Sequence, residues 1–434
     1  MSRHSGRGPG RHQPPRAAAG AMALPLLLAL AAQGAISSAP LAAQALTPTK
    51  EEDEILKAGP KDPFTDADPE LMAAAGIVGY GPFPWADFLS TTDIDKVLGE
   101  NRVLWVETAH FKVGCNLKSV GWPDDMKKRK ALQEELKDLH KLLPKLPEKP
   151  KKLLPWIRVH LFAKRIEQCY ADVQKLLGVT DKDFAGGGAG GAAAADGDGP
   201  FLGQKDKFLV LLFQKKSDMA RYMDRFCGVK NDSAMRLVHK KTNQMLAAVA
   251  VESFEGFDDA GLYGHVAYAV VHNLMDGYKG FRNPLPLWFG EGISHWYSRK
   301  TPSDMLNVQI LDTEAVAEDE KQVNWPVKVR RRAQHDGTWI KFAEMATWDD
   351  YEKLGYQAHS QAWSRIDYLM TLDAEKVGLM LQKLKSLPPP ADGGWSFAAG
   401  NALAVKLLAE LFEFDADTFD AKWREWVLKT YPKK

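Results

Sequence analysis

The amino-acid sequence predicts a chain of mixed strands and helices, with strands confined to its first part and helices dominating the second. Three observations carry that expectation. Arg102 to Val113, RVLWVETAHFKV, alternates and is rich in Val, Trp and Phe, which suits a pleated strand. Phe208 to Phe213, FLVLLF, is a continuous apolar run of strand length. From Tyr263 the apolar spacing turns helical: Val266, Ala269, Val270 and Leu274 form one stripe, and Ala362, Ile366, Leu369 and Met370 form another further on.

Taken in order, residues 1–45 read as a signal peptide for export to a periplasmic or extracellular space. Arg3, Arg7, Arg11 and Arg16 precede the apolar run AMALPLLLALAA, and Ala43-Gln44-Ala45 fits a small-residue cleavage site. The run is short for a membrane span, and no span is expected in the mature chain. Residues 46–101 are acidic and Pro-containing and read as an N-terminal extension wrapping the surface ahead of the core.

Residues 102–255 read as an α/β part. After the strand at 102–113, Asp125 to Leu143 is an amphipathic helix with Leu132, Leu136, Leu139 and Leu143 at helical spacing. Trp156 to Phe162 reads as a strand followed by a helix from Ala163 to Gly178. Phe208–Phe213 followed by the Lys216–Cys227 helix repeats that rhythm. Between them, the Gly/Ala-rich stretch 185–200 has no residues to bury and reads as a flexible loop. A further strand is expected near Met245 to Glu252.

Residues 256–434 read as the helical part. Its centre is Tyr263 to Tyr297. Gly277 and Asn283-Pro284 stop one helix, and a second begins near Pro286. His265, His272 and Asp276 share a face of the first helix, and the second carries Glu291 among Trp288, Phe289, Ile293, Trp296 and Tyr297. Thr301 to Gly337 reads as irregular, with Arg330-Arg331-Arg332 on a solvated surface. Helices then follow at Gln357–Leu372, Ala374–Leu387, Ala402–Phe412 and Asp417–Tyr431.

The phrase WFGEGISHWY, Trp288 to Tyr297, resembles the glutamate-ligand helix of gluzincin-type zinc metallopeptidases, a peptidase MA-like group. In that group a preceding H-E-x-x-H helix supplies two His ligands, and its Glu is the general base. Here the helix reads H-N-L-M-D: His272 matches the first His, Asn273 stands at the general-base position, and Asp276 replaces the second His. The resemblance implies an α+β, zincin-like fold, with the strand/helix part packed against the helical part and a site in the cleft between. It also implies a metal set of His272, Asp276 and Glu291, with Tyr356 and His359 placed by order where such proteins stabilise an oxyanion. An Asn side chain accepts no proton from water at neutral pH, so hydrolysis by the group's mechanism is not expected. Two negative ligands also make the set less selective for zinc than two His, and the expected state is metal-free. The bland alternative is a buried helix whose His272 is held by a neighbouring carboxylate.

His265 lies seven residues, roughly 10.5 Å at about 1.5 Å per residue, from His272, too far for one ion. His295 lies one turn after Glu291 and can point the same way, but His265, His295 and His110 are expected to be structural. Cys115, Cys169 and Cys227 allow one disulfide in three pairings, and no Cys-x-x-Cys or phosphate loop is present. With 57 basic and 56 acidic residues, the chain gives no sign of nucleic-acid binding. These features favour an exported pseudo-peptidase that binds a peptide or protein in the former cleft. A metal-dependent hydrolase with altered ligands and a scaffold of an exported complex are the other readings.

Overall fold

A computed structural model describes residues 57–184, 197–230, 233–239, 241–253, 258–281, 283–303, 324–388 and 396–433. The expected leader, most of the Gly/Ala-rich loop and all but Pro388 of the Pro-Pro-Pro to Gly-Gly linker lie outside the described residues. In chain order the elements are α1 (Pro69–Ala74), β1 (Ile77–Tyr80), α2 (Thr91–Leu98), β2 (Leu104–Thr108), β3 (Phe111–Asn116), α3 (Met126–Leu142) and α4 (Pro155–Leu177). Then come β4 (Phe208–Phe213), α5 (Lys216–Tyr222), β5 (Met235–His239), β6 (Gln244–Ala250), α6 (Asp259–Gly277) and α7 (Leu287–Ser298). Helices α8 (Trp325–Ala333), α9 (Phe342–Met345), α10 (Tyr356–Leu384), α11 (Ala398–Phe412) and α12 (Ala416–Thr430) complete the chain. The architecture is α+β, with strands confined to the first part and a mostly helical second part.

The strands form one six-stranded sheet in the order β1-β2-β3-β4-β6-β5. The central pairs β3/β4 and β4/β6 are parallel, and the outer pairs are antiparallel. Strand β4 explains its own composition. Phe208, Val210 and Leu212 enter the main core, while Leu209, Leu211 and Phe213 enter a second core on the other face. A strand buried on both faces reads as a continuous apolar run. Gly114 lies opposite Trp105 in the β2/β3 register, and a Cβ there would fall within the Trp105 ring.

Several local expectations change. Trp156–Phe162 is not a strand but the start of the single helix α4. Pro155 opens it in the first helical position, where proline costs nothing. Trp156 to Ala163 are all buried, so no polar stripe shows the helical period, and the β-then-α repeat disappears. Arg102–Val113 is two strands, because the chain reverses at Ala109-His110. The stretch expected to wrap the surface supplies edge strand β1. Its Phe83, Trp85, Ile94 and Leu98 build the second core. Trp325–Ala333 is helical, and Arg330 donates to the carbonyls of Leu428 and Tyr431 at the end of α12. The two helices expected on either side of Asp373 are present, and non-helical backbone at Asp373 kinks α10 between them.

His110 is structural: its ring stacks 3.6 Å from Tyr170, and Nδ1 lies 2.6 Å from Glu167. Cys115, Cys169 and Cys227 are all unpaired thiols. Among the described residues no helix is long and apolar enough to cross a membrane.

Candidate metal and active-site centre

Helices α6, α7 and α10 meet at a buried polar centre. The Asp258 carboxylate starts α6 by accepting from the Gly261 amide, and Lys385 Nζ donates to the carbonyls of Asp276 and Asn283 at its far end. Helix α7 is tied to α6 by Ser298 Oγ donating to the Gly264 carbonyl. Gly292 brings α10 close: a Cβ there would lie 2.7 Å from the Ala362 carbonyl oxygen. The glycine beside Glu291 therefore lets the α10 backbone approach and carries His359 to the carboxylate.

The residues expected as ligands do meet, in a row. Asp276 Oδ2 lies 3.1 Å from His272 Nδ1, and Glu291 Oε1 lies 3.3 Å from His272 Nε2. The two carboxylates thus occupy different edges of one imidazole. An ion held at one ring nitrogen points away from the other, so this arrangement is not a three-ligand cage. Asp276 is also paired with Arg236 from β5, 2.9 Å away, and the same guanidinium nitrogen donates to Asn273 Oδ1 at 3.1 Å.

Around Glu291 a different group assembles. Oε2 accepts from the Tyr268 hydroxyl at 2.6 Å and lies 3.4 Å from His359 Nδ1 and 3.7 Å from His295 Nε2. Those two histidine nitrogens are 2.9 Å apart. Ligand atoms of Glu291, His295 and His359 all lie within 4.8 Å of one another, and all three residues are buried. One carboxylate and two imidazoles make a set that can hold a metal ion.

Burial pushes the Glu291 carboxyl toward neutrality, but hydrogen bonds from His272 and His359 override it and hold the group well below the usual range. Asp276 is likewise held down against burial, chiefly by His272 and then Arg236. Burial and Arg236 oppose charge on His272, while Asp276 and Glu291 raise its pKa. Burial and the neighbouring His359 push His295 well below its ordinary value, leaving a neutral ring.

His359, expected at the oxyanion position, is on Glu291. Tyr356 is half-buried at the start of α10, and the tyrosine that bonds Glu291 is Tyr268. His265 is buried on α6, its ring 6.3 Å from that of Tyr268. His295, expected to be structural, belongs to the centre; its spacing of four from Glu291 allows that without requiring it. Tyr268 has the same spacing, four residues before His272. Arg236 carried no such signal. No protein-family model and no curated protein matches this chain.

Proposed function

We propose that this chain is an exported, gluzincin-like pseudo-peptidase that binds a peptide or protein rather than cutting it. The observation that carries the loss of hydrolysis is the Arg236 clamp. Asn273, already unable to take a proton, has its side-chain oxygen engaged by the same cation that pairs with Asp276. The position from which a base would work is therefore amide on one side and guanidinium on the other. The binding role rests on the resemblance of Trp288–Tyr297 to the peptidase phrase. Export rests on the basic, then apolar, then small-residue pattern of residues 1–45.

The test is hydrolysis of a mixed quenched-peptide library, with zinc supplied, by wild type, Glu291→Gln and Asn273→Glu proteins. The expected result is no turnover above the Glu291→Gln background for wild type. Asn273→Glu should gain none, because Arg236 is placed to pair with the new carboxylate. Zinc-dependent turnover by wild type that disappears in Glu291→Gln would sink the reading and favour the altered-ligand hydrolase.

A further inference from the structure

We propose that the chain holds one zinc-class divalent metal ion on Glu291, His295 and His359, a ligand set displaced from the His272–Asp276–Glu291 row. Bonds of about 2.0–2.1 Å at tetrahedral angles place ligand atoms about 3.3–3.4 Å apart. The three separations here are 2.9 Å for His295 Nε2 to His359 Nδ1, 3.4 Å for His359 Nδ1 to Glu291 Oε2, and 3.7 Å for His295 Nε2 to Glu291 Oε2. They bracket the edge of a tetrahedral face, so shifts of a few tenths of an ångström suffice. The ligands come from two helices locked by the Gly292 contact, which gives the face a rigid base.

The groups around the triangle have the form of a supporting shell. Glu291 Oε1 faces His272 Nε2, whose Nδ1 faces Asp276, which is fixed in turn by Arg236. A chain of this kind orients a carboxylate ligand so that its other oxygen is left for the ion. His272 and Asp276 are thus positioning residues. The Tyr268 hydroxyl, 2.6 Å from Glu291 Oε2, stands beside the triangle. Nitrogen and oxygen donors without thiolate suit zinc or a neighbouring first-row divalent ion. The inference is independent of whether peptides are cut.

The test is zinc content of the purified protein after zinc exposure and removal of excess, for wild type, His359→Ala and Asp276→Asn. About one zinc per chain is expected in wild type, with the largest loss, at least tenfold, in His359→Ala and a smaller one in Asp276→Asn, which removes a positioning residue and no ligand. Cobalt(II) spectra of the wild type should show nitrogen and oxygen ligation in a distorted tetrahedral field, a readout that does not depend on any variant folding. No stoichiometric zinc in wild type overturns the inference. So does loss of zinc in Asp276→Asn with retention in His359→Ala, which would put the ion on the row.

Discussion

Helix α6 carries a buried carboxylate cluster at each end, and the two differ in kind. At its first residue, Asp259 accepts from Arg158 Nε at 3.1 Å and Arg165 Nη1 at 2.7 Å. Arg165 also grips Glu135 through two nitrogens, and its guanidinium lies over the Tyr263 ring at 4.5 Å. In the last turn, Asp276 is shared between Arg236 and His272, and the network continues through Glu291 to His295 and His359. Both ends hold their carboxylates charged. A guanidinium, however, offers donors and no lone pair, whereas an imidazole can donate or ligate. The Asp259 end can only fasten α6 to α4. The Asp276 end keeps imidazoles that can donate or ligate.

The largest effect should come from breaking the fastening end. Arg165→Met leaves Asp259 with Arg158 alone in a region that water does not reach, and leaves the partly exposed Glu135 short of a partner. Removing one member of such a buried pair costs about 3–5 kcal/mol. Urea unfolding should show this as a large drop in midpoint. A loss within about 0.5 kcal/mol would mean the cluster is solvated and the contrast between the ends is false.

How much of this was legible in the sequence follows from which contacts are local. His272, Asp276 and Glu291 could be read because helical spacing and one short loop fix their neighbourhood. Arg236 could not: it sits 40 residues before Asp276 and arrives through the antiparallel pairing of β5 on β6. His295 shares the i,i+4 spacing of any structural histidine, and only the approach of α10 distinguishes it. Among elements, β4 showed its strand plainly, whereas Trp156–Phe162 hid its helix because burial on every side erases the 3.6-residue period.

A third carboxylate, Asp62, sharpens the contrast through pH. It is buried against α4, accepting from Thr65 Oγ1 at 2.7 Å and from Tyr80 Oη at 2.6 Å, with His160 Nε2 at 3.0 Å. Burial opposes its charge, but the hydrogen bond and charge of His160, then Tyr80, lower its pKa to about 2. A carboxyl lowered on folding stabilises the fold above its unfolded value. That stability is lost as pH falls through the folded one. Asp62→Asn should therefore cost about 2 kcal/mol at pH 7, with the gap to wild type closing between about pH 4 and pH 2. Urea titrations at stepped pH check it. A gap unchanged down to about pH 2 would show that shape, not charge, is what Asp62 contributes.

The smallest effect should come from the counterpart of Arg165 at the other end. In Arg236→Met, Asp276 loses one cation but keeps His272 at 3.1 Å, and its side chain is 13% exposed against 2% for Asp259. A partner remains at either end, His272 here and Arg158 at Asp259, so it is the partial solvation of Asp276 that reduces the penalty, to about 1–2 kcal/mol. Urea midpoints measured on metal-free protein make the comparison with Arg165→Met direct. Equal losses would mean that Arg236 fastens the fold as Arg165 does. A loss less than half as large would mean that its main effect is local, on the side chains of Asn273 and Asp276.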